Sequence, residues 1–456
     1  MAPVTEPQTP SPVAPPAREI RRIAPSSIRR IVDSFVNGVT SLGVSLGAYV
    51  VLGRFVSPAE YGRASVILAM WGLCATTVDW CGNMMMRFGP VELGRANTLR
   101  VTVATRLVFA TPLALTVVGA PLYFGLVRGW SWPLLVLTVL YLVSAAAFGV
   151  AHWSAVAAQR FRPLTIANAL IRAMPPVTIL TLVAVGRRPG AEALATAAVV
   201  GMTLGALVLI VPLRSLFGWA RPDRELLRAM WRYCLPSLIA APAAAAMNYI
   251  DPLVLQRSVS DADVGRYQLG YLTVTLFGTF GASFNRVLSP ELVSSSARGE
   301  REAVEHYRRR VQPRLACLGL VACAGACLVP PLARAMLPTV WAPAAETFAI
   351  LTVAGGLMIG VWSFHPLVTV TDSVWALQIA SMASAATNVA LDFALAPRWG
   401  ITGVALANVA AWAVQLVLLA ILLHRRINAR RICLVPLLVG AAAALPAVIA
   451  AARRGP

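Results

Sequence analysis

Long apolar stretches recur along the chain from about residue 34 onward, separated by short polar connectors. Each stretch reaches roughly 20 residues, the length that a helix needs to cross the hydrocarbon core of a bilayer. The connectors leave no room for a large water-soluble domain. The pattern predicts twelve spans near residues 34–56, 64–86, 101–127, 131–158, 164–186, 191–217, 233–256, 264–288, 313–335, 343–370, 374–396 and 400–423, and a weaker one at 433–451.

The composition agrees with lipid as the solvent of this chain. Hydrophobic residues make up 58% of the 456 positions and charged residues only 13%, whereas soluble domains contain roughly twice that share of charge. The seven cysteines lie in or beside apolar stretches and show no metal-ligand spacing. We therefore predict an all-α polytopic membrane protein with free thiols and with neither a metal nor a cofactor.

The net charge of +20 reflects basic residues at the ends of apolar stretches. Basic residues that favour the cytoplasmic connectors set membrane orientation. Most arginines lie on the N-terminal tail and on the connectors that share its side, which predicts a cytoplasmic N-terminus and no role in nucleic-acid binding. Residues 1–32 are rich in Pro, Ala and Arg, and are predicted to form a disordered, basic cytoplasmic tail.

A ten-residue motif occurs twice, as RFVSPAEYGR at 54–63 and RSVSDADVGR at 257–266, with six identical positions. In each copy a serine can cap the next helix and an acidic residue follows three positions later, as in a capping box. Both copies follow the first span of a half. We predict two six-helix bundles, 33–217 and 233–424, arranged as parallel repeats around a central cavity. Residues 218–232 would be a cytoplasmic linker, and 425–456 a basic segment with the additional span.

Polar and ionisable side chains inside the spans are expected to face the bundle interior or a wet cavity, because they are costly in lipid. A spacing of three or four residues places Asn168 with Arg172, and Asn388 with Asp392, on one helical face. Hydrogen bonding between helices is the alternative role for the amide side chains. The candidate substrate-binding residues are Asn37, Asp79, Asn83, Arg106, Asn168, Arg172, Asn248 and Asp251.

Arg106 and Arg172 are distinctive because a permanently charged guanidinium within a span needs an anion or water. Its planar fork matches the oxygens of a phosphate group. We predict that both side chains face the central cavity and help to hold a diphosphate. The alternatives are snorkelling to the membrane interface or a structural ion pair with Asp79.

Several stretches resemble Wzx-type polysaccharide flippases of the multidrug, oligosaccharidyl-lipid and polysaccharide exporter (MOP) superfamily. They are RFVSPAEYGRASVILAMWGL from Arg54, RFGPVELGR at 87–95, MWRYCLPSLIAAPAAAAMNYID at 230–251 and PRWGITGVALANVAA at 397–411. The order and spacing carry the resemblance. The chain departs from the family at Pro252, because many members have a basic residue directly after the aspartate that matches Asp251.

The resemblance implies a MATE-like fold and export of undecaprenyl-diphosphate-linked oligosaccharide across a bacterial inner membrane by alternating access. Lipopolysaccharide or exopolysaccharide synthesis would use this step. The implied partners are the lipid-linked oligosaccharide, membrane lipids, a polysaccharide polymerase and glycosyltransferases, and the protein is expected to be a monomer.

Two other transport functions remain open from the sequence: a peptidoglycan lipid-precursor flippase and an ion-coupled multidrug exporter of the same superfamily. An enzyme is not predicted, because the chain shows no nucleophilic triad, paired catalytic carboxylates or phosphate-binding loop. A membrane glycosyltransferase would need a catalytic region outside the membrane.

Overall fold

The computed structural model describes residue 40 and residues 43–82, 84–218, 220–221, 224–297, 301–371 and 373–427. Within these residues the chain is almost wholly helical and contains no β-strand. The helices are α1 (Gly43–Phe55), α2 (Pro58–Val78), α3 (Met84–Ala96), α4 (Arg100–Val127), α5 (Trp132–Ala157), α6 (Phe161–Ala184), α7 (Ala191–Leu213), α8 (Arg224–Leu255), α9 (Asp261–Ala297), α10 (Arg301–His306), α11 (Gln312–Gly325), α12 (Val329–Met336), α13 (Ala345–Trp362), α14 (His365–Val370) and α15 (Val374–Ile427).

Eight helical segments of the described chain are long and apolar enough to cross a membrane. Two further helices, α2 with 21 residues and α9 with 37, have the length but more polar positions. Two of the eight segments are divided into consecutive helices: one contains α11 and α12, and the other contains α13 and α14. The prediction of an all-α, multi-pass membrane protein is confirmed.

Helix α15 is a hairpin of two antiparallel helices that reverse at Gly400. This residue has φ 55° and ψ −134°, a conformation that favours glycine because it lacks a Cβ atom. Ser384 Oγ donates a hydrogen bond to the carbonyl oxygen of Ala411 at 2.7 Å, and Gln415 Nε2 donates to Ser381 Oγ at 2.9 Å. These contacts join the two arms, so two of the predicted spans lie side by side.

Both copies of the duplicated motif begin a helix. Ser57 Oγ accepts a hydrogen bond from the backbone N–H of Glu60 at 3.3 Å, and Pro58 occupies the first turn of α2. Ser260 Oγ accepts one from the N–H of Asp263 at 3.2 Å. The capping predicted from the sequence is therefore present at the start of both α2 and α9.

Helices α2 and α9 cross in backbone contact at the glycines of the two motifs. A Cβ atom at Gly62 would collide with the carbonyl oxygen of Asp261 and lie 2.9 Å from the nitrogen of Gly265. A Cβ atom at Gly265 would likewise collide with the carbonyl oxygen of Pro58 and lie 2.9 Å from the nitrogen of Gly62. Ser57 and Ser260 thus lie at one end of the molecule, here called the motif end. This reciprocity agrees with the predicted parallel repeat.

The opposite end, where α7 ends and α8 begins, is here called the linker end. Helix α8 begins at Arg224, so most of the segment predicted as a linker, 218–232, is helical. Its arginines and glutamate are good helix formers, and the helix continues past the apolar part that the hydrophobic pattern detects. The predicted tail, 1–32, the candidate span 433–451 and nearly all of the segment 425–456 lie outside the described residues.

One buried core lies mainly in the second half, another lies in the first half and includes residues of α8, and a third apolar cluster joins the halves at the motif end. In that cluster Leu52 and Tyr61 of the first half pack with Leu269, Trp341 and Phe348 of the second. Trp341 Nε1 also donates a hydrogen bond to the carbonyl oxygen of Gly53 at 2.7 Å. The halves are therefore held tightly at the motif end, and open space between them lies further toward the linker end.

Candidate functional site: a cavity between the two halves

A cavity of about 240 Å³ lies between the halves. Its lining residues on α9 run from Tyr271 to Ala282, which places it roughly 15 to 30 Å from the start of that helix at a rise of about 1.5 Å per residue. The depth corresponds to the middle of the membrane and the half nearer the linker end. The lining residues are Asn168, Arg172, Asn248, Tyr271, Val274, Thr275, Gly278, Thr279, Ala282, Met358 and Trp362.

Arg172 is the charged residue of this lining. Its Nη1 donates a hydrogen bond to Ser45 Oγ at 2.7 Å, and its Nη2 donates to Thr279 Oγ1 at 2.8 Å. No ion pair joins Arg172 to a carboxylate within the described part of the chain. A partly buried cation that is held by neutral hydroxyl groups retains a strong preference for an anionic partner.

Two amide side chains share the cavity with Arg172. Asn168 lies one helical turn before Arg172, and the predicted common face of this pair is present. Asn248 comes from α8 in the other half, and its Nδ2 donates to the carbonyl oxygen of Ala244 at 2.8 Å. The lining contains no aspartate or glutamate. This arrangement favours an anion that also offers hydrogen-bonding groups.

Arg106 lies elsewhere, and its predicted position at the cavity is wrong. The side chain is only 3% exposed and forms an ion pair with Asp79 inside the first bundle. Its Nη1 donates to the carbonyl oxygen of Gly149 at 3.0 Å, while Asp79 Oδ2 accepts from Trp153 Nε1 at 2.7 Å. The structural ion pair, which was the alternative interpretation, is what the fold contains. Packing of α2, α4 and α5 brings the two charges together.

Asp251 also lies away from the cavity, inside the second bundle, where it is 2% exposed. It accepts hydrogen bonds from Tyr267 Oη at 2.5 Å, Asn388 Nδ2 at 2.9 Å and Asn408 Nδ2 at 2.8 Å. Residues three apart on a helix differ by about 60° in direction at 3.6 residues per turn. That difference places Asn248 in the cavity and Asp251 in the bundle, so the prediction that both line one path is wrong for Asp251.

A second carboxylate, that of Asp392, joins the cluster around Asp251. Asn388 Nδ2 contacts Asp392 Oδ2 at 3.1 Å as well as Asp251, and Asp392 is fully buried. Three buried oxygens have no hydrogen-bond partner, namely the Oδ1 atoms of Asn388, Asp392 and Asn408. Two ionised carboxylates in one buried cluster without a cation are costly. Chemically, the cluster can hold a proton or a small cation.

Two predicted site residues, Asn37 and Asn83, lie outside the described residues. In the described ranges there is no group of three or more His, Cys, Asp or Glu side chains arranged to hold a metal ion.

The sequence interpretation did not single out Tyr267, Asn408 and Thr279. Tyr267 directly follows the second copy of the duplicated motif, and Asn408 ends the ALAN stretch at 405–408. Asn408 belongs to a stretch used only as a sign of resemblance and Tyr267 adjoins one used only as a sign of repetition, although a polar residue within a span is itself a signal. Thr279 gave no such signal, because threonine is common in spans.

The fold is similar to that of solved transporters of the MOP superfamily. The structure is similar to the lipid II flippase MurJ in an inward closed conformation, with a TM-score of 0.65, 13% identity, and coverage of 94% of this chain and 99% of that one. It is similar to an outward-facing multidrug resistance MATE transporter, with a TM-score of 0.55, 14% identity, and coverage of 91% and 99%. It is also similar to a MOP superfamily transporter from Pyrococcus furiosus, with a TM-score of 0.56, 14% identity, and coverage of 92% of this chain and 100% of that one. At these identities the likeness shows the fold alone.

A more particular relationship comes from the family comparison. Residues 131–346 match the model of a family described as polysaccharide biosynthesis protein. No curated protein matches the chain. This match covers slightly less than half of the chain, and together with the fold it agrees with the resemblance to polysaccharide flippases that the sequence motifs indicated.

Proposed function

We propose that this chain is a flippase that moves an undecaprenyl-diphosphate-linked oligosaccharide across a bacterial inner membrane by alternating access. The export would serve lipopolysaccharide or exopolysaccharide synthesis, and the N-terminus would be cytoplasmic. The family match over residues 131–346 and the MOP fold support this proposal. A cavity between two helical bundles is the place where such a fold can bind a substrate.

The observation that carries the proposal is the chemistry of the cavity lining. Arg172 supplies a positive charge, and no carboxylate of the lining neutralises it. A guanidinium fork can bind two oxygens of a diphosphate at once. Asn168 and Asn248 supply amide groups that can hydrogen-bond to phosphate or sugar oxygens. We assign these three residues to the headgroup of the lipid-linked substrate.

A peptidoglycan lipid-precursor flippase is the second candidate, and the structural likeness to MurJ favours it. Arg172 would suit that substrate equally, because the anionic group of both candidate substrates is a diphosphate. The charge of the cavity argues against an exporter of cationic drugs, since Arg172 would repel them. The choice between the two lipid substrates therefore depends on the saccharide and not on the charged site.

The proposal is tested by transport in proteoliposomes with a fluorescent polyprenyl-diphosphate-linked oligosaccharide. Substitution Arg172→Gln should lower the transport rate by roughly 10- to 100-fold, the value of a lost charge-assisted hydrogen bond. Arg172→Lys should retain an intermediate rate, because it keeps the charge and loses the fork. Arg162→Gln is the matched control, because Arg162 is an exposed arginine on the same helix that does not line the cavity.

Transport of the oligosaccharide by the wild-type protein, together with the loss in Arg172→Gln, supports the proposal. Faster transport of the peptidoglycan precursor would select the second candidate. Normal transport by Arg172→Gln, or transport of a cationic dye instead of either lipid, would contradict the assignment of this cavity to a diphosphate.

A further inference from the structure

Arg172 connects the two halves of the molecule across the cavity. Ser45, on α1, belongs to the same half as Arg172, whereas Thr279, on α9, belongs to the other. Of these two bonds, therefore, the one to Thr279 joins the halves and resists their relative movement. We propose that Thr279 competes with the anionic ligand for Arg172, so that ligand binding replaces a contact between the halves. This inference rests on the proposed function, because it concerns the same cavity.

The orientation of the Thr279 hydroxyl supports this role. Thr279 Oγ1 donates its proton to the carbonyl oxygen of Thr275 at 2.8 Å. The hydroxyl thereby presents a lone pair toward the guanidinium, and it accepts from Arg172 Nη2. Thr279 thus acts on Arg172 as a hydrogen-bond acceptor, which is also what a phosphate oxygen would do.

Both ends of the guanidinium fork are engaged in this conformation, Nη1 with Ser45 and Nη2 with Thr279. Three of the five N–H donors remain, but a ligand that takes the N–H group now directed at Thr279 must displace that hydroxyl. Hydrogen bonds between a charged donor and a charged acceptor are about twice as strong as neutral ones. A phosphate group can therefore displace a hydroxyl, and the displacement costs part of its binding energy.

The consequence for movement follows from the positions of the other contacts between the halves. The ion pair of Arg63 with Asp261 at 3.6 Å and the bond from Trp341 to Gly53 lie at the motif end. Releasing Thr279 leaves those contacts in place, together with the packing of Tyr249 of α8 against Gly72 of α2, and it removes the hydrogen bond that joins α6 to α9 at the cavity. Thr279 is thus a positioning residue, which holds Arg172 and the two halves together until an anion arrives.

The test uses inorganic pyrophosphate as the probe, with the full-length protein purified in detergent. Thr279→Val keeps the shape and removes the acceptor, so it should tighten pyrophosphate binding by roughly two- to tenfold, the worth of one competing hydrogen bond. Thr279→Ser retains the hydroxyl and should bind like the wild type. Thr275→Val is the matched control: this threonine lines the same cavity, but its hydroxyl bonds to the carbonyl oxygen of Tyr271.

A conformational measurement accompanies the binding measurement. Spin labels at Arg162 and Arg310, exposed residues near the linker end of the two halves, report the distance between the halves in a background without native cysteines. Pyrophosphate should broaden this distance distribution in the wild type. Thr279→Val should broaden it without any ligand, and Thr275→Val should not.

Each outcome decides between separate claims. If Thr279→Val binds pyrophosphate no more tightly than the wild type while Arg172→Gln loses binding, the competition is wrong and the diphosphate site stands. Weaker binding by Thr279→Val would make Thr279 a ligand contact and would also overturn the inference. If Arg172→Gln binds pyrophosphate as the wild type does, the proposed function of this cavity fails, and the inference fails with it.

Discussion

Arg106 is buried and is held by an ion pair with Asp79 and by the carbonyl oxygen of Gly149. Breaking a fully buried pair costs about 3–5 kcal/mol, but the Asp79 side chain is 33% exposed, so solvent offsets part of that cost. Arg106→Gln should therefore lower the free energy of unfolding by about 1–3 kcal/mol, which a denaturation curve in detergent would measure. The double substitution Asp79→Asn with Arg106→Gln should recover part of the loss, because it leaves no lone charge.

Arg172→Gln is the control for this measurement, because Arg172 has hydroxyl partners and no carboxylate partner in the described chain. It should unfold nearly as the wild type does. Equal unfolding of the Arg106→Gln variant and the wild type would mean that the ion pair does not stabilise the first bundle.

The two arginines also show how far a sequence can predict a site. Asn168 and Arg172 lie one turn apart on a single helix, so local geometry predicts that they share a face, as they do in the cavity. The partner of Arg106 is 27 residues away on another helix, and only the packing of the bundle selects it. Residue type predicted that each charge needs a partner, but not which partner it has.

The contact between α2 and α9 depends on the absence of side chains at Gly62 and Gly265. An alanine at either position would place its Cβ against backbone of the other helix, which cannot rotate away as a side chain can. We expect Gly62→Ala and Gly265→Ala each to destabilise the chain by about 1–3 kcal/mol, the usual cost of overpacking. Thermal unfolding in detergent would measure the effect.

Gly94→Ala serves as the control, because Gly94 lies in helix α3 and a Cβ atom there would meet nothing within 4 Å. It should be neutral or slightly stabilising, since alanine is the better helix former. The close crossing would be refuted if all three alanine variants unfolded alike.

Helix starts were predicted well where local chemistry marks them and poorly where it does not. Ser57 and Ser260 cap their helices as expected, since a capping motif is a local signal. The start of α8 at Arg224 was missed, because an arginine-rich helical extension has no apolar run. The turn at Gly400 lay at the predicted boundary of two spans, where the stretch PRWG contains two residues that often interrupt helices.

At the scale of the whole molecule, the fold class followed from the length, the composition and the series of apolar stretches, since lipid admits few folds. The residues that line the cavity could not be predicted from these features. Its lining depends on which faces of α6, α8, α9 and α13 meet. Asp251 points about 60° away from Asn248 around the axis of α8, and it therefore lies outside the lining. The buried cluster around Asp251 and Asp392 has the same origin in packing.

The reciprocal contact of Gly62 with Gly265 has the geometry of a subunit interface in a twofold dimer, where one patch meets the same patch of its partner. A chain built in this way should not need the covalent connection between its halves. Two polypeptides, one ending at Gly218 and one beginning at Arg224, should assemble when they are expressed together. A tag on the first should recover the second, and the pair should transport substrate.

A break inside α6 at Leu170 is the matched control, because it divides a helix and separates Asn168 from Arg172. Recovery of transport by this pair as well would show that chain breaks are tolerated generally and say nothing about the halves. If the first pair assembles and the control does not, the peptide connection serves to keep the two partners at high effective concentration and in equal number. Each polypeptide would then contain the information needed to fold its own half and to recognise the other.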